Sequence, residues 1–153
     1  MNYLRWLTIK KIFIANGPNL NFLGIRELEK YGSTTYSELI HTIERKASSL
    51  NLEVELFQSN NEGEIVDYIQ MISQFNDVWL IFNPGAYTHT SVSIRDAIAI
   101  FSQNNKIVEV HISNINKRED FRKINLIKEF SKYSIIGQGV NGYLKALEYI
   151  DGE

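Results

Sequence analysis

Val78-Trp79-Leu80-Ile81-Phe82 contains no polar residue and stops at Asn83-Pro84-Gly85. A continuous apolar run has no wet face. That is the pattern of a strand inside a parallel sheet with helices packed on both sides. Working outward, four more β-like runs share its character. Ile9–Ala15 ends at Asn16-Gly17-Pro18-Asn19. Leu52–Gln58 alternates Leu52, Val54 and Leu56 with Glu53 and Glu55, and Ile107–Ile112 and Ser134–Gly137 complete the set. Helical stretches separate them. Thr35-Tyr36-Ser37-Glu38 is a capping box, with Leu39, Ile40, Ile43, Ala47 and Leu50 forming one apolar stripe behind it. Asn61-Glu62-Gly63-Glu64 opens a second helix with Ile65, Ile69 and Ile72 inward. A third starts near Thr90 or Ser91 and carries Val92, Ala97, Ile98 and Phe101. A short helix is expected around Lys117–Arg122. The last, from about Gly142, presents Tyr143, Leu144, Leu147 and Ile150. The order βαβαβαβαβα predicts a doubly wound α/β fold, and five strands predict the flavodoxin-like arrangement with sheet order 2-1-3-4-5.

The chain has 153 residues, which suits a single domain over 1–153. Its net charge of −2 gives no bulk attraction to nucleic acid or an anionic membrane. It has no cysteine, which excludes disulfides and thiolate metal sites. The three histidines, His41, His89 and His111, have no close ligand spacing, so no metal is expected. His41 falls beside a helical apolar stripe and reads as partly exposed. The first eleven residues are broken by Arg5, Lys10 and Lys11 and lack the look of a signal peptide. The expected location is the cytoplasm, with residues 1–9 an N-terminal extension.

Ligands of doubly wound folds sit beyond the C-terminal strand ends, so chemistry is sought there. After the first strand, about twenty residues separate Asn16 from the capping box, far beyond the ~2–6 of an ordinary βα loop. This loop holds Asn19, Arg26 and Tyr31 and reads as a lid, or else as a solvated loop whose tyrosine fills a groove. After the third strand, Asn83 and His89 precede a helix start that favours anions. On the fourth strand, Glu109 and His111 are two apart and face the same side. Two ionisable groups on one strand face are costly unless paired. A carboxylate beside an imidazole orients it and favours its protonated form. Arg118 and Arg122 follow at i, i+4 and would share a helical face, as an anion clamp or a solvated surface.

These strand-end segments form a set. Gly17-Pro18-Asn19-Leu20-Asn21, Arg26-Glu27, Tyr31-Gly32, Gln58-Ser59-Asn60, Asn83-Pro84-Gly85-Ala86-Tyr87-Thr88-His89-Thr90-Ser91, Arg95-Asp96-Ala97, Glu109-Val110-His111-Ile112-Ser113-Asn114 and Arg118-Glu119-Asp120-Phe121-Arg122 resemble, in order and spacing, the type II dehydroquinases. The match runs from about residue 11 to 150. The resemblance implies a flavodoxin-like fold, no metal or cofactor, and a dodecamer built as four trimers. It implies anti elimination of water from 3-dehydroquinate, giving 3-dehydroshikimate through an enolate, in the shikimate pathway of aromatic amino acid biosynthesis.

It also implies roles. Tyr31 would take the proton from carbon 2, with Arg26 stabilising the transition state and Arg118 tuning Tyr31. His111 would protonate the departing hydroxyl, held by Glu109. Asn19 would settle the enolate through a water. Asn83, His89, Arg122 and the backbone of Ile112 and Ser113 would bind the carboxylate and hydroxyls. Asp96 would reach a neighbouring subunit's site. Departures from the family's pattern are Leu28 in place of proline, Asn61 in place of histidine, and Lys123-Ile124-Asn125-Leu126 in place of a His-Ser-Tyr-like run. Two other classes compete: a flavodoxin-like module holding a flavin or another anion, and a non-catalytic homologue. The first lacks a phosphate-binding loop directly after strand one. The second leaves the filled catalytic positions unexplained.

Overall fold

The computed structural model describes residues 9–153. Five parallel strands form one sheet: β1 (Lys11–Asn16), β2 (Glu53–Gln58), β3 (Trp79–Asn83), β4 (Lys106–His111) and β5 (Tyr133–Ile136), in the order β2-β1-β3-β4-β5. Every pairing is parallel, so each connection crosses over a face of the sheet. The helices are α1 (Leu28–Tyr31), α2 (Tyr36–Ser49), α3 (Glu62–Ile72), α4 (Val92–Phe101) and α5 (Asn141–Gly152). The expected fold class and sheet order are those observed. The expected extension lies outside the described residues except for Ile9, which is exposed ahead of β1.

Strand parity divides the core in two. Ile12, Ile14, Trp79, Ile81, Val108 and Val110 face α2 and α5, packing with Leu39, Ile43, Tyr143 and Leu147. Phe13, Ala15, Leu80, Phe82 and Ile107 face α3 and α4, packing with Ile65, Ile69, Ile94 and Ile98. Successive side chains of a strand point to opposite faces, so an unbroken apolar run supplies both layers.

The helix starts follow their side-chain chemistry. Thr35 accepts from the Glu38 N–H while Glu38 returns a bond to the Thr35 N–H, completing the capping box, a device contributing about 1 kcal/mol. Asn61 caps α3 through the N–H groups of Gly63 and Glu64, and Ser91 caps α4 through Ile94. His41 is exposed on α2.

Three expectations are corrected. The strands β1 and β3 each end one residue later than the apolar runs, taking in Asn16 and Asn83, whose polar side chains are buried by pairing with Tyr143. Val92 is exposed rather than inward; it begins α4, and Ile94 occupies the inward position of the first turn. No α-helix forms over Lys117–Arg122. Two 3₁₀ turns, Ile115–Lys117 and Asp120–Lys123, flank an extended Arg118. The whole β4–β5 connection lacks an α-helix; only sparse anchors such as Ile115 and Ile127 are buried, too few for an apolar stripe at helical spacing.

At the top of the sheet the loops after β1 and β3 meet backbone to backbone. Gly17 donates to the Asn83 carbonyl at 2.7 Å, and a Cβ on Gly17 would lie 2.3 Å from the Pro84 carbonyl oxygen. Only glycine permits this approach.

Candidate active site

A cavity of about 240 Å³ opens above the C-terminal ends of β1, β3 and β4, where the strand order reverses. Of the residues expected in the site, Asn19, Arg26, Tyr31, Asn83, His89, His111, Ile112, Ser113, Arg118 and Arg122 line it. Glu109 lies behind His111, and Asp96 lies elsewhere.

The lid supplies Tyr31. After Leu20–Phe22 the chain turns at Gly24, φ 78°, and at Glu27, φ 37°, a left-handed conformation uncommon for a residue with a Cβ. The Glu27 carbonyl then accepts from the Lys30 and Tyr31 N–H groups, closing the single turn of α1. Leu28, the first residue of that turn, is half exposed. Tyr31 emerges between two guanidiniums. Arg26 stacks over its ring at 4.5 Å, and Arg118 donates from Nη1 to its hydroxyl at 2.9 Å. The extended backbone at Arg118 makes that reach possible; the same Nη1 donates to the Ser113 hydroxyl at 3.3 Å.

The end of β4 and the turn after β3 carry the cavity's histidines. His111, at the end of β4, is buried, and its Nε2 hydrogen-bonds the fully buried Glu109 carboxylate. Burial opposes ionisation of Glu109. The hydrogen bond and charge of His111, with donors from Asn125 and Ser134, outweigh it and hold the carboxyl below its usual value. His89 donates from Nδ1 to the Ile124 carbonyl at 2.6 Å. Burial, with Arg122 adding to it, holds its imidazole below the ordinary histidine value, which favours the neutral ring with Nε2 as the acceptor.

Beneath the cavity lies a buried amide–phenol chain. The Tyr143 hydroxyl donates to Asn16 Oδ1 at 2.5 Å and accepts from Asn83 Nδ2 at 2.9 Å; Asn83 Oδ1 accepts from the Gly85 N–H. Burial pushes the Tyr143 phenol up, keeping it a neutral donor. Asn19, in a left-handed conformation at φ 68°, is anchored by its N–H on Asn60 Oδ1 at 2.8 Å.

The cavity's cations are Arg26, Lys30, Arg118 and Arg122, against the carboxylates Glu27 and Glu119. The excess of positive charge fits an anionic ligand. Asp96 is exposed on α4, 3.5 Å from its neighbour Arg95, and does not enter the cavity of its own chain. Among the described residues, no group of three or more histidines and carboxylates could hold a metal, and no helix is long and apolar enough to cross a membrane. The sequence reading missed Asn125, Ser134, Asn16, Asn60 and Tyr143. Single polar residues in otherwise apolar or loop segments carry no spacing signal. For Asn125, the departure from the family's run was the one available sign.

The model of the class II dehydroquinase family matches residues 10–151. This chain belongs to that family. The 3-dehydroquinate dehydratase of Caldicellulosiruptor saccharolyticus is 50% identical over 139 residues, covering 91% of this chain and 94% of that one. That of Lachnospira eligens is 47% identical over 141 residues, covering 92% and 95%. The crystal structure of type II dehydroquinase from Butyrivibrio crossotus superposes with a TM-score of 0.89 at 46% identity, covering 94% of this chain and 98% of that chain. Type II dehydroquinase membership and the five-stranded sheet thus agree. Neither competing class of ligand-binding module or inactive homologue is favoured by these relatives.

Proposed function

We propose that this chain is a 3-dehydroquinate dehydratase, eliminating water in the anti sense through an enolate. The observation that carries the reading is Tyr31, with Arg26 over its ring and Arg118 on its hydroxyl, lining one cavity with His111, which is paired with the buried Glu109 behind it. An elimination across two carbons needs a base and an acid at separate positions, and an anion-stabilising set between them.

The proton to be removed lies beside a ketone. The Tyr31 oxygen, as its anion, takes it; the electron pair moves to the ketone oxygen, forming the enolate. Asn19 donates to that oxygen through a water. Collapse of the enolate expels the hydroxyl at carbon 1, which takes a proton from His111 and leaves as water. The imidazole is left with its proton on Nε2, held by Glu109. The cationic excess binds the substrate carboxylate, with Arg122 and the Ile112 and Ser113 N–H groups as its partners. Asn83 and neutral His89 receive the hydroxyls. The reaction involves no change of oxidation state. The product feeds aromatic amino acid biosynthesis, and the proposed location is the cytoplasm.

The proposed assembly is a dodecamer of four trimers. Its support is Asp96, exposed and away from its own cavity, which a neighbour's site would use. Purified protein supplied with 3-dehydroquinate should produce the conjugated enone, read by its ultraviolet absorbance. Absence of turnover in folded protein would refute the reading.

A further inference from the structure

The connection between β4 and β5 touches both His89 and the Glu109 behind His111, and one side chain in it is tied to the site. Glu109 has no exposed surface. Its Oε1 accepts from His111 Nε2 and from Asn125 Nδ2, the latter at 2.5 Å; its Oε2 accepts from the Ser134 hydroxyl at 2.8 Å. A carboxylate cut off from water remains an anion only where protein donors replace the lost hydration.

Asn125 cannot present its amide the other way. Its Oδ1 already accepts from the N–H groups of Ile127 at 3.1 Å and Lys128 at 3.0 Å, so the NH₂ faces Glu109. The flanking residues are fastened as well. The Ile124 carbonyl receives His89 Nδ1, and the Leu126 N–H donates to the Thr88 carbonyl at 3.0 Å. Residues 124–127 therefore reach both imidazoles of the cavity, one directly and one through a carboxylate.

We propose that Asn125 and Ser134 are positioning residues. They hold Glu109 as a fixed anion and through it fix the tautomer and proton supply of His111. With three donors on the carboxylate, His111 must carry hydrogen on Nε2, so the proton it gives away comes from Nδ1. A protonated Glu109 would donate to Nε2 instead and reverse that tautomer. Asn125 Nδ2 and the Ser134 hydroxyl, as donors, bind the carboxylate more strongly than the acid and so favour the anion. The proposal rests on the reading of His111 as the acid.

The groups around Glu109 are few. On its own strand it faces His111; from β5 comes Ser134; from the connection comes Asn125; its β3 neighbour in register is the apolar Phe82. Arg118, Arg122 and His89 line the cavity that His111 faces. Removing one donor leaves burial less opposed, so Glu109 takes up its proton at higher pH.

The test uses Asn125→Ser, Ser134→Ala and the double variant of the full chain. Serine is a good cap, so Asn125→Ser keeps an acceptor for the Ile127 and Lys128 N–H groups while withdrawing the donor from Glu109. Ser134→Ala withdraws the second donor from a different element. Each single variant should move the acid limb of the kcat profile upward by about one pH unit, the double variant further, with KM little changed. Ser134→Thr, which keeps the hydroxyl, should restore the parental limb. Ring-nitrogen NMR of labelled histidine reads the same event without turnover: the Nε2–H form of His111 should be lost at higher pH in the variants. Folded single variants with an unmoved limb and unmoved ring signals, or a lower melting temperature alone, would overturn the proposal. A parent protein inactive on 3-dehydroquinate would instead refute the functional reading, and the ring signals would still decide this one.

Discussion

Replacing Arg118 by methionine removes a guanidinium from the Tyr31 hydroxyl while keeping most of the side chain's length. The contact is 2.9 Å, and the Arg118 side chain is 13% exposed. At an effective dielectric near 20, a full charge at that distance stabilises a tyrosinate by about 6 kcal/mol. Two effects reduce this. The cavity is open to solvent, and Arg26 at 4.5 Å over the ring retains part of the field. Hydrogen bonds to charged groups contribute roughly 1.5–3 kcal/mol in practice. The expected loss is therefore about 2–4 kcal/mol of transition-state stabilisation, or roughly 30- to 1,000-fold in kcat. Arg118→Lys should recover part of it, since the charge returns without the planar fork. The assay is kcat on 3-dehydroquinate, with the affinity of a substrate-like carboxylic acid measured alongside. A kcat within threefold of the parent in Arg118→Met would refute the claim that this guanidinium supports the tyrosine anion.

Tyr31→Phe should lower kcat by about 10²–10⁴-fold while leaving ligand affinity near the parent's, since the ring remains for Arg26 to stack on; equilibrium binding beside turnover checks this. Tyr143→Phe strands Asn16 Oδ1 and Asn83 Nδ2 in the core, so unfolding in denaturant should show a loss of about 1–3 kcal/mol, and retained stability would count against the buried chain. Asp96→Ala should lower activity, and mixing it with Tyr31→Phe subunits should restore some turnover, because each defect would lie on a different chain of a shared site. Sedimentation gives the mass of the assembly, and a fully active monomer would contradict the shared site.

The fold was legible because apolar runs and caps are local signals. Val78–Phe82 announces a strand buried on both faces, and Thr35–Glu38 announces a helix start, with no knowledge of what lies opposite. The strand ends were less legible. Asn16 and Asn83 look like turn residues until Tyr143, far along the chain, arrives to satisfy both. Around Arg118 the spacing argument gave a wrong helix, yet both arginines still line the cavity, reached from two 3₁₀ turns and the extended residue between them. The pairing of Glu109 with His111 followed from strand parity alone. The donors that complete it come from residues 16 and 25 positions on, a separation no local pattern encodes.

The backbone contact between Gly17 and Pro84 bears on how parts of this protein could be exchanged. Pro18 and Gly85 are close as well: a Cβ on Gly85 would lie 3.1 Å from the Pro18 carbonyl oxygen. Residues 16–18 and 83–85 thus interlock as a unit, held by main-chain atoms that side-chain redesign cannot adjust. A lid transplanted from a relative should splice cleanly from Leu20 onward, beyond the interlock. A junction placed at Asn16–Pro18 would require the 83–85 turn to travel with it, since neither half has a partner of the right shape without the other.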